Sequence, residues 1–209
     1  MTDRISGSVF KQMITFGAAC VTQQKQAIND LNVFPVPDGD TGTNMSLTIQ
    51  TAVNELKKSE PATVGEAAKI TAGALLRGAR GNSGVILSLL FRGLSKSVKG
   101  LTDMDGAQLA AAMAEGVTTA YGAVMKPAEG TVLTVSRLAA ARAVEAAQEN
   151  PSAEYVLEQA IAAGYETLAQ TIDMNPVLKK AGVVDAGGKG YLIILDGMLR
   201  ALRGEALPQ

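Results

Sequence analysis

Between Asn32 and Met45 the chain reads Asn-Val-Phe-Pro-Val-Pro-Asp-Gly-Asp-Thr-Gly-Thr-Asn-Met, and this stretch limits the fold more than any other. Proline removes a backbone donor and glycine raises the entropic cost of a helix, so Pro35, Pro37, Gly39 and Gly42 together exclude a helix interior. The segment is a stiffened loop. From Asn44 onward the punctuation stops, and Met45, Ile49, Ala52, Val53 and Leu56 fall on one helical face. The loop thus carries Asp38 and Asp40 to the mouth of a helix N-terminus. Free N–H groups there favour anions, whereas paired carboxylates favour a hard, oxygen-seeking cation, so the combination suits a metal-phosphate pair. A solvated Asp-Gly turn is the competing reading, and composition alone leaves both open. An EF-hand is excluded, because with Asp38 at position 1 the chain has Thr43 at position 6 and Ile49 at position 12, where Gly and Glu are required.

At 209 residues the chain fits one domain with a sizeable core. Hydrophobic residues reach 47% but aromatic residues only 4%, with no Trp, so the core must be built from Ala, Leu, Val, Ile and Met, which favours close-packed helices. The formal charge of -1, without a basic run, leaves no electrostatic footprint for nucleic acid or for insertion at an acidic membrane. Cys20 is the single cysteine and there is no histidine. This excludes an intrachain disulfide, Ser-His-Asp and Cys-His catalysis and His-ligated zinc, and leaves carboxylate-bound hard metals as the natural cofactor. No apolar run at the N-terminus is long enough for a signal or a span, so a cytoplasmic setting is expected.

In chain order, periodicity predicts a first helix over 6–31, the Pro-Gly loop, a helix ending near Pro61, and another opened by a Thr63 to Glu66 capping box. Arg77-Gly-Ala-Arg-Gly-Asn-Ser-Gly84 then precedes an apolar helical run. Its glycines describe either a helix-helix corner or a turn whose amides approach an anion, with Asn82 and Ser83 against a phosphate. Asp105 to Gln108 caps an Ala-rich helix to about Met125. After Lys126-Pro-Ala-Glu-Gly130, Thr131 to Val135 starts a helix to Glu149, although the Val-Leu-Thr-Val run also reads as a short strand. Asn150-Pro151 is expected to cap a helix to about Ile172. A third glycine-rich stretch, Ala181 to Gly190, carries Asp185 and precedes a last helix over 191–202. About eight helices joined by Gly-rich loops make an all-α bundle.

Pro37 to Met45, Gly78 to Gly84, Gly130-Thr131 and Val184 to Gly188, in this order, resemble the DhaL (DAK2) domain. Within that family the pattern is most similar to the N-terminal nucleotide-binding domain of the bacterial fatty acid kinase, a relative of the dihydroxyacetone kinase L subunit. The resemblance implies an eight-helix antiparallel barrel over residues 1–203, with 204–209 beginning a linker to further domains. It implies ATP or ADP at one rim with two Mg²⁺ ions bridging acidic side chains and phosphates. Asp38 and Asp40 match catalytic metal ligands, and Asn32 is the nearest match to a third. Thr41, Gly42, Thr43 and Asn44 match the phosphate-side turn, Asn82 and Ser83 a second phosphate loop, Gly130 the nucleotide pocket, and Asp185, Ala186 and Gly187 a closing segment. Lys179 and Lys180 lie nearest to where the dihydroxyacetone kinase branch carries an Arg.

The expected function is that of a kinase domain whose acceptor is a fatty acid held by a separate carrier protein, inactive without its other domains, with the full-length protein a possible homodimer. Two alternatives stand beside it. One is a dihydroxyacetone kinase L subunit, disfavoured by Thr41 standing where that branch carries His. The other is a non-catalytic helical scaffold that binds a cation for stability.

Overall fold

The computed structural model describes residues 1–208. It contains α1 (Gly7–Gln23), α2 (Lys25–Leu31), α3 (Thr41–Lys57), α4 (Val64–Gly78), α5 (Gly81–Ser97), α6 (Gly106–Ala123), α7 (Val132–Glu149), α8 (Ala153–Met174), α9 (Pro176–Ala181) and α10 (Ala186–Leu202). Two-residue strands, β1 (Ile5–Ser6) and β2 (Asp103–Met104), pair antiparallel. The eight longer helices close a ring in which α1, α3, α4, α5, α6, α7, α8 and α10 each pack on the next and α10 returns to α1. Short α2 and α9 sit at helix ends. This is the expected eight-helix barrel.

Contacts at the two ends make the ring antiparallel. At one end the start of α8 receives the N-terminal strand, with Ala153 N–H donating to the Asp3 carbonyl (2.9 Å), while Thr2 Oγ1 donates to the Leu202 carbonyl at the end of α10 (3.0 Å). There too Gly106 N–H, opening α6, donates to the Pro151 carbonyl (2.7 Å), and Val64 N–H, opening α4, donates to the Thr102 carbonyl (2.9 Å). The first residues of α3, α5, α7 and α10 therefore gather at the opposite end.

The aromatic-poor composition is explained by how near the helices approach. A Cβ on Gly197 of α10 would sit 2.8 Å from Gly17 Cα of α1, and one on Gly93 of α5 would sit 2.6 Å from Gly116 Cα of α6. Such approaches require glycine. Met13, Ile49, Leu75 and Leu87 are fully or almost fully buried between these backbones, each burial contributing roughly 1.5–3 kcal/mol.

Several local expectations change. The first helix breaks at Gln24 (φ -106°, ψ 10°), because α2 turns to cradle α3. Gly42 packs against that turn, where a Cβ would collide with the Lys25 carbonyl oxygen, so α3 begins at Thr41 rather than beyond the glycine. Residues 132–135 are helical, with Thr131 as N-cap. Ser152, not Asn150, caps α8; Asn150 Oδ1 accepts from Ser152 N–H (3.0 Å) and ends α7. Asn175-Pro176 opens the unanticipated α9. The last helix starts at Ala186, five residues before the expected Tyr191, because Gly188 and Gly190 are held against Val135, Leu168 and Met45 and their lack of a side chain is a packing requirement.

Candidate functional site

A cleft of about 690 Å³ opens where α3, α5, α7 and α10 begin, within the range usual for small-molecule sites. Asn32, Asp38, Asp40, Thr41, Asn44, Asn82, Ser83, Asp185 and Gly187 line it. Four residues singled out from the sequence do not. Gly42 packs on Lys25, and Thr43 is held by Asn29, whose Oδ1 accepts from Thr43 N–H (3.0 Å) and whose Nδ2 donates to Thr43 Oγ1 (3.0 Å). Ala186 is buried in α10, and Gly130 (φ 79°) packs against Met174 and Asn175.

The loop over 32–40 is shaped by Asn32. Its Oδ1 accepts from Asp40 N–H (3.0 Å) and Thr41 N–H (3.2 Å), and its Nδ2 donates to the Val36 carbonyl (3.1 Å). Two amides occupy the oxygen's lone pairs, so Asn32 is a brace for the loop and not a free metal ligand, which corrects the expectation from the resemblance. The brace sets Asp38 and Asp40 side by side. The Asp38 carboxyl is held above its ordinary range by its hydrogen bond with Asp40, then by partial desolvation and by the Asp40 charge. Among the described residues no group of three or more Asp, Glu or Cys converges. Two adjacent all-oxygen donors, one of which disfavours the other's charge, fit a hard divalent cation that completes its shell with ligand oxygens.

The four helix N-termini at the rim differ. Thr131 Oγ1 caps α7 by accepting from Leu133 N–H (3.3 Å). Asp185 caps α10 by accepting from Gly188 N–H (2.8 Å), and it also accepts from Val132 N–H of α7. This carboxyl is 5% exposed, and burial pushes its pKa up to about 6 against the opposing pull of those two amides. By contrast, α3 is closed by side chains from the segment before it, since Thr41 N–H donates to Asn32 and Thr43 N–H to Asn29, whereas α5 begins at Arg80 without any side-chain cap. Arg80 N–H instead donates to Thr48 Oγ1 (3.1 Å), tying α5 to α3, and Gly81 (φ 68°) lies so near that a Cβ would be 2.5 Å from Asn44 Nδ2. The uncapped amides of α5 and the adjoining side chains of Asn44, Asn82 and Ser83 thus lie on the side of the paired carboxylates. That side suits an anion, whereas the α7 and α10 side carries the Asp185 carboxyl.

A family model for the DAK2 domain matches residues 35–200. The chain belongs to the DAK2 domain family. It is 45% identical to an uncharacterized protein of Staphylococcus haemolyticus over 99% of its own length and 38% of that protein's, and 45% identical to one of Staphylococcus aureus (strain USA300) over 98% and 37%. The chain therefore spans less than two-fifths of the length of these relatives. Its fold matches the dihydroxyacetone kinase of C. freundii with a TM-score of 0.67 and 17% identity, over 96% of this chain and 35% of that one.

Sequence reasoning missed the apolar wall of this DAK2 domain, formed by Val85, Ile86, Val124, Val132 and Leu133. In sequence the openings of the glycine-marked helices read as polar or structural, and only the ring brings the intervening apolar residues to one surface. Lys179 and Lys180 are exposed on α9 and outside the cleft lining, whereas Lys126 lies within it. No described helix is long and apolar enough to cross a membrane.

Proposed function

We propose that this domain holds ATP or ADP with Mg²⁺ at the barrel rim as the nucleotide-binding part of a phosphotransferase, and that the acceptor is a carrier-bound fatty acid. The observation that carries the nucleotide reading is the asymmetry of the rim. Uncapped α5 beside Asp38 and Asp40 suits a metal-bound polyphosphate, and the apolar wall of Val124, Val132 and Leu133 beside the self-capped helices suits a base. Membership of the DAK2 family and the fold shared with a dihydroxyacetone kinase support the kinase class. The fatty acid acceptor follows from the motif resemblance alone.

In this reading Asp38 and Asp40 hold the cation, which would supply charge neutralisation at the transferring phosphoryl group. Asn32 keeps the two carboxylates in register, and the amides opening α5 orient the phosphates. No residue of the chain is a covalent nucleophile in this scheme, since in-line transfer needs positioning and charge compensation. Calorimetric titration tests it: Mg²⁺-ADP should bind with one-to-one stoichiometry, and the chain alone should phosphorylate neither free fatty acid nor free dihydroxyacetone. No heat of binding would overturn the nucleotide reading, and efficient transfer by the chain alone would overturn the need for a separate acceptor carrier.

A further inference from the structure

We propose that Lys126, on the loop joining α6 to α7, is the cation that meets the phosphates of the ligand, and that an ion-paired clamp behind the loop holds it in place. The inference rests on the nucleotide reading above and deepens it. Among the described residues lining the cleft there are three acids, Asp38, Asp40 and Asp185, and one base, Lys126. A divalent cation offsets the first two, but Asp185 would still repel a polyphosphate. Lys126 is exposed and takes part in no ion pair or hydrogen bond with a described residue, so its ammonium is available to a ligand.

The loop that carries it is not loose. Gly130 N–H donates to Thr134 Oγ1 (2.9 Å), which donates to Glu129 Oε2 (2.6 Å). Arg137 Nη2 pairs with the same oxygen (3.0 Å), and its Nε donates to Tyr121 OH (3.2 Å). Thr131 Oγ1 donates to the Ala128 carbonyl (2.7 Å). Tyr121 belongs to α6 and Arg137 to α7, so both helices that flank the loop grip it. The Glu129 carboxyl is held below its usual range by Thr134 first, although burial opposes this, and then by Arg137. Tyr121, Glu129, Thr134 and Arg137 lie outside the cleft lining. Arg137 and Glu129 are positioning residues for Lys126, which lies between the cleft-lining Val124 and Ala128. A lysine whose backbone is already fixed loses less freedom on binding.

The test compares wild-type chain with Lys126→Ala, Lys126→Arg and Arg137→Ala. Mg²⁺-ADP is titrated by calorimetry, adenosine by ligand-observed NMR, and amide exchange over 124–130 is followed without ligand. Lys126→Ala should weaken Mg²⁺-ADP about tenfold or more while leaving adenosine unchanged, as for one lost charge-assisted contact. Lys126→Arg should restore most of that loss. Arg137→Ala should speed exchange over 124–130 and weaken Mg²⁺-ADP by a smaller factor. Full Mg²⁺-ADP affinity in Lys126→Ala, beside a wild type that binds, overturns the Lys126 assignment alone. Unchanged exchange in Arg137→Ala overturns the clamp. A wild type that binds no Mg²⁺-ADP overturns the nucleotide reading and the phosphate role of Lys126 with it.

Discussion

At the end of the barrel where β1 lies, the openings of α6 and α8 find partners within the chain. Asp105 and Gln108 form a reciprocal capping box at α6, Glu154 N–H and Ala153 N–H donate to the Thr2 and Asp3 carbonyls, and Ser152 Oγ donates to the Thr2 carbonyl (3.1 Å). At the opposite rim, α5 starts without a cap, Asp40 crowds Asp38, and Asn44, Asn82 and Ser83 have no protein partner for their side chains among the described residues. The same eight helices run through both ends. The difference is that the polar side chains of the rim stand open to solvent or a ligand, whereas those opening α6 and α8 are bound within the chain.

The largest effect should break the rim without touching the closed end. Asp38→Ala combined with Asp40→Ala should weaken Mg²⁺-ADP by about a thousandfold, taking about 2 kcal/mol for each lost charged contact. Because Asp40 disfavours the charge of Asp38, the thermal midpoint without ligand should hold or rise. A clear fall in the ligand-free midpoint would mean that the pair supports the fold and that the two ends do not differ in the way described.

Asp185 is the exception at the rim, a buried acid that serves the fold, and pH exposes it. Its pKa of about 6 lies above the unfolded value of 3.8, so the folded state binds its proton more tightly. The resulting stabilisation is complete below pH 3.8 and is lost as pH rises through about 6, by roughly 2–3 kcal/mol. Asp185→Asn keeps an oxygen for Gly188 N–H and should flatten that decline in denaturant midpoints taken from pH 4 to 7.5. An unchanged slope would place the titration elsewhere.

How far these features are legible in the sequence follows the range of the forces involved. Caps formed between near neighbours, such as Asp105 with Gln108 and Thr63 with Glu66 N–H, are readable because both partners lie within one turn. The eight-helix ring and the gathering of three glycine-marked stretches are readable through the resemblance of their motifs. The break at Gln24 is not, since nothing local marks it and α2 bends to meet Gly42 and Thr43 across the Pro-Gly loop. The helical character of Gly187, Gly188 and Gly190 is hidden for the converse reason. Their propensity argues against a helix, and only contacts with Met45, Val135 and Leu168 explain their use. Asn32 illustrates the same limit at the site: its place beside the acids is visible, but its partners, the amides of Asp40 and Thr41, are eight and nine residues away.

The smallest pair of effects sharpens the comparison most, because two substitutions of equal size should register in different measurements. Asp105→Ala removes the acceptor for Gln108 N–H (2.9 Å) at the closed end and should lower stability by about 1 kcal/mol. It lies across the barrel from the cleft, so Mg²⁺-ADP affinity should stay the same. Ser83→Ala, in the first turn of uncapped α5, removes a hydroxyl that bonds nothing among the described residues, so stability should stay the same. If that hydroxyl meets a phosphate, Mg²⁺-ADP affinity should fall by about 1 kcal/mol, near fivefold. Chemical denaturation and calorimetry on both variants fill the four cells of this comparison. Loss of stability in Ser83→Ala with affinity intact would make the Gly-Asn-Ser-Gly turn a helix corner and nothing more, and would leave the phosphates to the cation held by Asp38 and Asp40.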